Sequence, residues 1–327
     1  MKPHLDFEAP LVEIEERIED RRAAAVGGDP RAKDEMRRLE AKAEKLRAKI
    51  YSGLTSWQKT QLARHPGRPY TLDYIERVFT DFEEMHGDRL YGDDLAIVGG
   101  LARFHGTPVI VVGHQKGRTD RERALRRQGM PFPEGFRKAL RLMRLGERFG
   151  KPIIAFVDTT GAFPGPEAEG RGQAEAIARN LREMSALRVP ILSVLLGEGG
   201  SGGALALCVA DRILMLAHAI FTVISPEGCA AILWREGERA EEAAEALKLT
   251  AQDILDLGVI DGIVPEPPGG AHRDFDLAAR EVEGAIAQHL EEIRAIPMEE
   301  LLRLRYEKFR RMGRFIENPG PAREPGT

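Results

Sequence analysis

Continuous apolar runs of strand length constrain the fold of this chain more than any other feature of its sequence. Residues 153–157 and 191–196 are apolar almost throughout, with no alternation of polar and apolar positions. Strands of this kind have both faces buried, and they occur in sheets that helices cover on both sides. A helical stretch at residues 174–184 separates the two runs. The sequence therefore predicts an α/β domain.

Other strands come in pairs that precede a helix. Residues 96–104 and 109–114 flank a His-Gly-Thr-Pro turn, which predicts a β-hairpin. Residues 213–216 and 220–224 form a second pair, and a helix is predicted from residue 228 to residue 234. Repeated units of two strands and a helix indicate a spiral of ββα turns.

The first fifty residues have helical periodicity instead. Apolar side chains recur at spacings of three and four in residues 11–18 and again in residues 36–50, with Gly-Gly-Asp-Pro between the two stretches. This pattern predicts a hairpin of two helices that packs against another subunit. We divide the chain into an N-terminal helical arm (1–71), an α/β catalytic domain (72–295) and a charged helical and Pro/Gly-rich C-terminal tail (296–327).

The composition excludes several classes of protein. The 327 residues include 48 Lys plus Arg and 52 Asp plus Glu, and a net charge of -4 gives no general attraction for nucleic acid or an anionic membrane. No apolar run reaches the ~20 residues that span a bilayer, and the acidic N-terminus is unlike an export signal. Two cysteines, Cys208 and Cys229, are too few for a disulfide framework. We therefore expect a cytoplasmic protein.

A glycine-rich segment, GEGGSGGALA, directly follows the second apolar run. Its glycines are Gly197, Gly199, Gly200, Gly202 and Gly203. The segment matches the GxGxxG fingerprint of dinucleotide binding, but residues 216–219 lack the acid that should follow the next strand. Two other interpretations remain: the glycine N–H groups stabilise an oxyanion at a helix start, or the glycines only permit close packing of helix on strand.

Two further connections could contribute to the same site. Gly161 and Gly165 break the chain after the first apolar run, so two neighbouring strands each end in a glycine-rich connection. This arrangement predicts a crevice at one edge of the sheet. Ser225 and Glu227 stand at a third helix start, where Glu227 is explained either by helix capping or by a catalytic role.

A basic loop and a set of missing motifs complete the candidate chemistry. Lys116 and Arg118 belong to a loop that either holds the phosphates of an extended cofactor or forms a solvated surface. The sequence offers no HExxH motif, no pair of acids that indicates glycoside chemistry and no serine in a nucleophile elbow. His114 and His272 lie beside glycine-rich turns, but a lone histidine is more often a structural donor than a base. The chemistry therefore rests on backbone donors.

Several long motifs together carry a resemblance to a known family. They are RPYTLDYI, GDR, AIVGG, GHQKGR, GMPFPEGFRKALRLM, RGQAEAIARNLREMS, GEGGSGGALA, ISPEGCAAILW and VPEPPGGAHR. In this order they resemble the alpha subunits of bacterial acetyl-CoA carboxylase carboxyltransferase, from about residue 5 to about residue 311. Thr160 and Phe163 depart from the family, which often has Pro and Tyr there, and PEAEG replaces a more glycine-rich sequence.

The resemblance implies a fold and a reaction. The fold is a crotonase-like spiral of ββα turns with an N-terminal helical arm. The reaction moves a carboxyl group from carboxybiotin, held on the biotin carboxyl carrier protein, to acetyl-CoA, and forms malonyl-CoA in the first committed step of fatty acid biosynthesis. It further implies biotin carboxylase and a zinc-ribbon beta subunit as partners, and a heterotetramer of two alpha and two beta subunits. No metal is expected in this chain.

The resemblance also implies site residues. Backbone N–H groups of Gly202 and Gly203 are expected to form an oxyanion hole for biotin, with Gly199 and Gly200 as the second choice. Substrate binding is expected from Lys116, Arg118, Gly161, Gly165, Ser225 and Glu227. Two alternatives stay open: a self-sufficient acyl-CoA hydratase or isomerase with Glu198 or Glu227 as its base, and a catalytically silent scaffold.

Overall fold

The two apolar runs are neighbouring strands in the computed structural model, which describes residues 4–26 and 30–313. In these ranges the strands are β1 (Thr80–Glu84), β2 (Ile97–Phe104), β3 (Thr107–His114), β4 (Ile153–Thr159), β5 (Ile191–Gly200), β6 (Arg212–Leu216), β7 (Ile220–Thr222) and β8 (Gly262–Val264). The helices are α1 (Ala9–Val26), α2 (Pro30–Ser52), α3 (Ser56–Ala63), α4 (Thr71–Val78), α5 (Asp120–Leu125), α6 (Pro133–Arg148), α7 (Pro166–Gly170), α8 (Gln173–Ala186), α9 (Ser201–Leu205), α10 (Pro226–Trp234), α11 (Ala240–Leu247), α12 (Ala251–Asp256), α13 (Phe275–Arg294) and α14 (Met298–Arg311). The alternation of strands and helices confirms the predicted α/β class.

These strands form one mixed sheet. Its order is β1-β2-β3-β4-β5-β6-β8, and β7 pairs with β5 beside this path. β1, β2 and β3 are antiparallel, and the pairing of Phe104 with Thr107 closes the predicted hairpin. The strands from β3 to β8 are parallel. Every residue of β4 is buried, as expected for a parallel strand that helices cover on both faces.

β5 divides its length between two partner strands. β6 pairs with residues 192–195, whereas β7 pairs with residues 198–200. β6 and β7 are consecutive in the chain, as predicted, but they do not pair with each other. Because Gly199 is opposite Thr159 of β4 and Phe221 of β7, the glycine-rich end of β5 is held from both sides.

Helices cover the sheet through narrow apolar faces. α6 packs against β2 and β3, and its buried side chains include Phe136, Leu142 and Met143. Pro133 at the first position of α6 fits a helix start, where its missing N–H costs no hydrogen bond. α13 packs against β5 and β8. The positions of these helices leave the carboxyl ends of β4 and β5 free to form a site.

The predicted arm is present as a helical hairpin. α1 and α2 pack on each other around Leu11, Ile14, Leu39 and Ala43. Residues 27–29, where Gly-Gly-Asp was predicted to break the helix, lie outside the described residues. Beyond the hairpin, α3 packs against β5 and β7, so the segment assigned to the arm extends to the central sheet.

The C-terminal segment is helical as far as the structure describes it. α14 packs against α8, and Arg305 is fully buried there. Its guanidinium pairs with Asp211 at 2.7 Å and donates to the carbonyls of Met184, Leu187 and Val189. The Pro/Gly-rich end predicted for the tail lies outside the described residues. No described helix has the length and apolar character that crossing a bilayer requires.

Candidate active site

The glycine segment forms the connection between β5 and α9. Gly203 is buried, and a Cβ on it would stand 2.5 Å from the carbonyl carbon of Gly161 and 2.6 Å from the nitrogen of Ala162. Glycine is therefore required at this position, because the backbone that follows β4 lies against it. The two glycine-rich connections therefore touch each other at the carboxyl ends of β4 and β5.

Gly202 lies in a different environment. A Cβ on Gly202 would meet only the side chain of Ile177, at 3.6 Å, which is an ordinary van der Waals distance. Packing inside the chain therefore does not require glycine here. Gly202 is partly exposed, and its Cβ direction faces α8 through Ile177.

Ser201 corrects one interpretation of the sequence. The stretch Gly199 to Gly203 reads Gly-Gly-Ser-Gly-Gly, and Ser201 has a left-handed backbone with φ of 48° between a strand and a helix. This is the backbone position of a nucleophile elbow, so the statement that no serine occupies such a turn is wrong. Within the described residues the Ser201 hydroxyl makes no hydrogen bond, and it therefore lacks the base that a nucleophile needs.

A cleft of about 440 Å³ opens beside the end of β5. Its lining residues are Arg64, Pro66, Tyr70, Lys116, Gly117, Arg123, Gln128, Thr160, Glu198, Ser225 and Glu227. A smaller depression, which shares Arg64, Thr160, Glu198 and Ser225 with the cleft, extends it to Gly199 and Gly200. The structure thus brings together segments from α3, the basic loop, β4, β5 and α10.

The cleft contains several of the predicted site residues. Lys116, Ser225 and Glu227 line it directly. Ser225 is also the N-cap of α10 and accepts a hydrogen bond from the N–H of Gly228 at 3.0 Å. Ser225, and not Glu227 as the capping interpretation had it, is therefore the N-cap side chain, and Glu227 lies in the first turn of the helix.

The other predicted residues lie outside the lining of the cleft and of the smaller depression: Gly161, Gly202, Gly203, Arg118 and Gly165. Arg118 forms an ion pair with Asp73 at 2.5 Å and stacks over the ring of Tyr70. Binding of a phosphate by Arg118 would require it to leave these partners. Gly165 precedes α7 and is not part of the lining.

A chain of ion pairs runs along the cleft floor, and we call it the ion-pair chain. Lys116 Nζ lies 2.7 Å from Asp158 Oδ1 and 2.8 Å from Glu198 Oε2. Arg64 Nε lies 2.8 Å from Glu198 Oε1, and Arg64 Nη1 lies 2.5 Å from Glu227 Oε1. Three carboxylates and two cations therefore alternate from the buried Asp158 to the more exposed Glu227.

These contacts fix the charge of both candidate bases. Burial acts to raise the pKa of Glu198, but Lys116 and Arg64 outweigh it and hold that pKa below its usual value. Burial also opposes ionisation of Glu227, and the guanidinium of Arg64 lowers its pKa in the same way. Both oxygens of each carboxylate face a cation, so neither side chain is available as a general base.

His114 is not available as a base either. Its side chain is fully buried below the glycine segment, near the backbone of Phe156 and Gly203. Burial lowers the pKa of His114 to about 3, so the ring is neutral at physiological pH. Hydrogen bonding to the backbone of Phe156 and Gly203 acts in the opposite direction but does not outweigh burial. Its position supports the structural interpretation.

Sequence reasoning missed Arg64 and Asp158. Arg64 belongs to the segment assigned to the arm, where we expected packing alone. Asp158 ends a run of five apolar residues, and Glu198 stands among glycines. Charged residues in such buried contexts need partners, and this was the signal that could have identified the ion-pair chain.

A second polar cluster lies between the arm and the domain. Glu8, His65 and His272 place potential metal ligands within 4.8 Å of one another, and all three are largely buried. However, the N–H of Gly67 donates to His65 Nδ1, and Arg273 lies 3.4 Å from Glu8. The guanidinium of Arg273 already pairs with the carboxylate of Glu8. These contacts fit an ion-paired junction between the arm and the domain better than a metal centre.

Comparison with known proteins places this site in a family. A family model described as acetyl co-enzyme A carboxylase carboxyltransferase-like matches residues 4–313. The acetyl-coenzyme A carboxylase carboxyl transferase subunit alpha of Geobacter metallireducens is 58% identical over 313 residues, which cover 96% of this chain and 98% of that protein. The corresponding subunit of Geobacter sulfurreducens is 63% identical over 276 residues, 84% of this chain and 86% of that protein.

Solved structures show the same fold at lower identity. Transcarboxylase 12S superposes with a TM-score of 0.52 and 24% identity over 65% of this chain and 41% of that chain. The beta subunit of P. aeruginosa geranyl-CoA carboxylase superposes with a TM-score of 0.54 and 20% identity, over 75% of this chain and 46% of that chain. A chain of a Pseudomonas malonate decarboxylase heterotetramer in complex with coenzyme A superposes with a TM-score of 0.53 and 20% identity, over 66% of this chain and 86% of that chain. These likenesses concern the fold, which is that of the crotonase-like carboxyltransferases.

The family match extends over nearly all of the chain, and the relatives are covered almost completely by it. The chain therefore belongs to the family of acetyl-CoA carboxylase carboxyltransferase alpha subunits.

Proposed function

We propose that this chain supplies the biotin-facing half of the carboxyltransferase site that forms malonyl-CoA from acetyl-CoA. The observation that carries the proposal is the pairing of both cleft carboxylates with cations beside a glycine segment that offers backbone donors. A hydratase or isomerase of this fold needs a free carboxylate. Carboxyl transfer does not, because the carboxylated biotin brings the carboxyl group and, after its departure, a basic ureido nitrogen.

The proposed role of the chain is to hold the ureido oxygen of biotin. We assign this role to the backbone N–H groups of Gly202 and Gly203, with Gly199 and Gly200 as the second choice. The partial exposure of Gly202 supports the first choice, since packing among the described residues does not itself require glycine there. Gly199 and Gly200 are engaged in the strand pairing of β5, which leaves their backbone less free. Fixed backbone donors stabilise developing negative charge without reorganising during the reaction.

The cleft walls have supporting roles in this proposal. Thr160 and Ser225 present polar groups to the cleft, and Lys116 and Glu227 set its charge. Their ion pairs engage both oxygens of Glu198 and of Glu227. The buried strand ends exclude water from one side of the site, which favours transfer over hydrolysis.

The proposal includes partners. We infer that a beta subunit carrying a zinc ribbon supplies the acetyl-CoA side, in a heterotetramer of two alpha and two beta subunits, and that a biotin carboxyl carrier protein charged by biotin carboxylase delivers the carboxyl group. Support comes from the apolar side chains near the cleft, where Val223, Ile232 and Leu233 are 75%, 72% and 63% exposed. We place this assembly in the cytoplasm, where the free thiols of Cys208 and Cys229 stay reduced.

The test is malonyl-CoA-dependent carboxylation of biotin by the purified chain mixed with a beta subunit. We expect turnover in the mixture, none with either subunit alone, and a loss of at least ~100-fold in Gly202→Val, since the added side chain blocks the approach to the backbone donors. Gly284→Val is the matched control, because a Cβ on Gly284, in α13, meets nothing within 4 Å.

Two results would contradict the proposal. Full turnover in Gly202→Val would remove the oxyanion-hole assignment and favour a silent scaffold. Hydration of crotonyl-CoA by the isolated chain would favour the hydratase alternative.

A further inference from the structure

The ion-pair chain is built around Glu198, which interrupts the glycines of the catalytic segment. Only 5% of Glu198 is exposed. Its backbone N–H donates to Asp158 Oδ1 at 2.9 Å, and the same oxygen faces Lys116. The strand position of Glu198 is therefore tied to β4 through its backbone and to the ion-pair chain through its side chain.

Arg64 is the member of the ion-pair chain that comes from farthest away in the sequence. It follows α3 directly as the C-cap residue, 134 residues before Glu198. Its Nε binds the buried Glu198, and its two Nη atoms bind both oxygens of Glu227, at 2.5 and 3.3 Å. One guanidinium thus joins α3, the end of β5 and the start of α10.

The planar guanidinium explains why arginine suits this position. It donates in two directions at fixed angles, toward Glu198 on one side and Glu227 on the other. A lysine ammonium can lie near one carboxylate but does not provide this fork. Loss of Arg64 would leave Glu198 with Lys116 as its remaining cation and Glu227 with none among the described residues.

We propose that Arg64 is a positioning residue for carboxyl transfer: it holds Glu198 and Glu227, and through Glu198 it fixes the backbone donors of Gly199 to Gly203. The inference rests on the proposed function of the glycine segment and extends it to a residue of the N-terminal arm. A buried carboxylate that loses one of two cations shifts toward water. Because the backbone N–H of Glu198 is bonded to Asp158, such a shift also disturbs the strand end that carries the glycines.

The first test uses the assembled subunits and compares Arg64→Met with Arg64→Lys. In malonyl-CoA-dependent carboxylation of free biotin, Arg64→Met is expected to lower kcat by roughly 100-fold, the typical cost of misplacing reacting groups by about 1 Å. KM for biotin should change by less than about threefold, because Arg64 does not bind biotin in this proposal. Arg64→Lys should recover part of kcat, since it restores one of the two ion pairs.

The matched control is Arg77→Met. The side chain of Arg77 is 31% exposed, as against 30% for Arg64, and it also forms an ion pair with a carboxylate, that of Asp276. It lies outside the cleft lining. Arg77→Met should leave kcat and KM unchanged. If kcat falls equally in Arg77→Met and Arg64→Met, the effect of Arg64→Met is a general loss of stability and the proposal is contradicted.

A second test does not depend on activity. Hydrogen exchange of the isolated chain, followed by mass spectrometry, reports on the peptide that spans residues 197–205. Arg64→Met should accelerate exchange in that peptide, whereas Arg77→Met should not. Unchanged exchange in Arg64→Met would overturn the proposal, as would a variant whose KM for biotin rises while kcat stays the same, since Arg64 would then bind substrate directly. If exchange is faster in Arg64→Met but the assembled wild type shows no turnover, the positioning role of Arg64 is supported and the proposed function is contradicted.

Discussion

At the scale of single residues, the glycine segment contains a position where packing requires glycine and another where a serine adopts a backbone conformation that favours glycine. Gly203 lies against the backbone after β4, whereas Ser201 has a side chain although its φ is 48°. A left-handed backbone costs a residue with a Cβ about 1–2 kcal/mol relative to glycine. Ser201 is thus a point of stored strain beside the proposed oxyanion hole.

This strain leads to a prediction about stability. Ser201→Gly should raise the free energy of unfolding by about 1 kcal/mol, because relief of the left-handed strain exceeds the added entropy of the unfolded chain. Urea denaturation of the isolated chain measures the change. Ser201→Ala keeps the Cβ and the strain, so it should give no such gain. A less stable Ser201→Gly variant would show that the backbone at this position is not strained.

The same scale shows what the sequence could reveal about the site. The glycines and the crevice were predictable, because glycine runs after buried strands restrict the backbone by themselves. The charge of Glu198 among glycines indicated a need for partners. The partners themselves were not predictable, because Lys116 and Arg64 lie 82 and 134 residues away in the chain. Only the folded sheet brings them together.

At the scale of elements, local patterns predicted helices and strands well and pairings less well. The hairpin of β2 and β3 followed from a short turn between two apolar runs. The division of β5 between β6 and β7 depends on long-range register, which periodicity does not encode. Likewise, the apolar stripes of α1 and α2 predicted a hairpin. They did not predict that Arg64, directly after α3, binds Glu198 at the end of β5.

The junction between the arm and the domain depends on one buried carboxylate. Burial acts to raise the pKa of Glu8, but hydrogen bonds involving His272, Tyr51 and the backbone of Leu5 outweigh it and lower the pKa to about 2. Tyr51 donates to Glu8 at 2.5 Å, and Arg273 also faces it. Because the folded pKa is depressed, ionised Glu8 stabilises the fold above its ordinary pKa of 4.5.

This contribution should disappear as the pH falls from 4.5 to about 2. The linked stabilisation is on the order of 3 kcal/mol near neutral pH, from a shift of about two units. Glu8→Gln removes it, so the difference in unfolding free energy between wild type and Glu8→Gln should shrink through this pH range. A difference that stays constant with pH would mean that the stability of this junction does not depend on the charge of Glu8. Comparison with the variant cancels other acids that titrate in the same range, such as Glu266.

At the scale of the whole molecule, the site is a cleft that the described residues leave open on one side. β4, β5 and their connections form the floor of the cleft, and α10 begins at its rim with Ser225. Three large apolar side chains are exposed in this region: Val223, which precedes α10, and Ile232 and Leu233 near the end of that helix. Exposed apolar side chains next to a cleft are typical of a protein interface, and the family to which the chain belongs is named as one subunit of a larger enzyme.

We therefore predict that Ile232→Asp prevents association with the beta subunit. A charge at the centre of an apolar interface would be desolvated without a partner, and the affinity should fall by at least ~100-fold. The isolated variant should keep its thermal stability, because Ile232 is already 72% exposed. Size-exclusion chromatography and titration calorimetry of the mixed subunits measure the effect. Tyr306→Asp is the control, since Tyr306 is 65% exposed on α14, which contributes nothing to the cleft lining. Equal affinities of wild type and Ile232→Asp would place the partner on another face, and the cleft would then have to be completed from elsewhere.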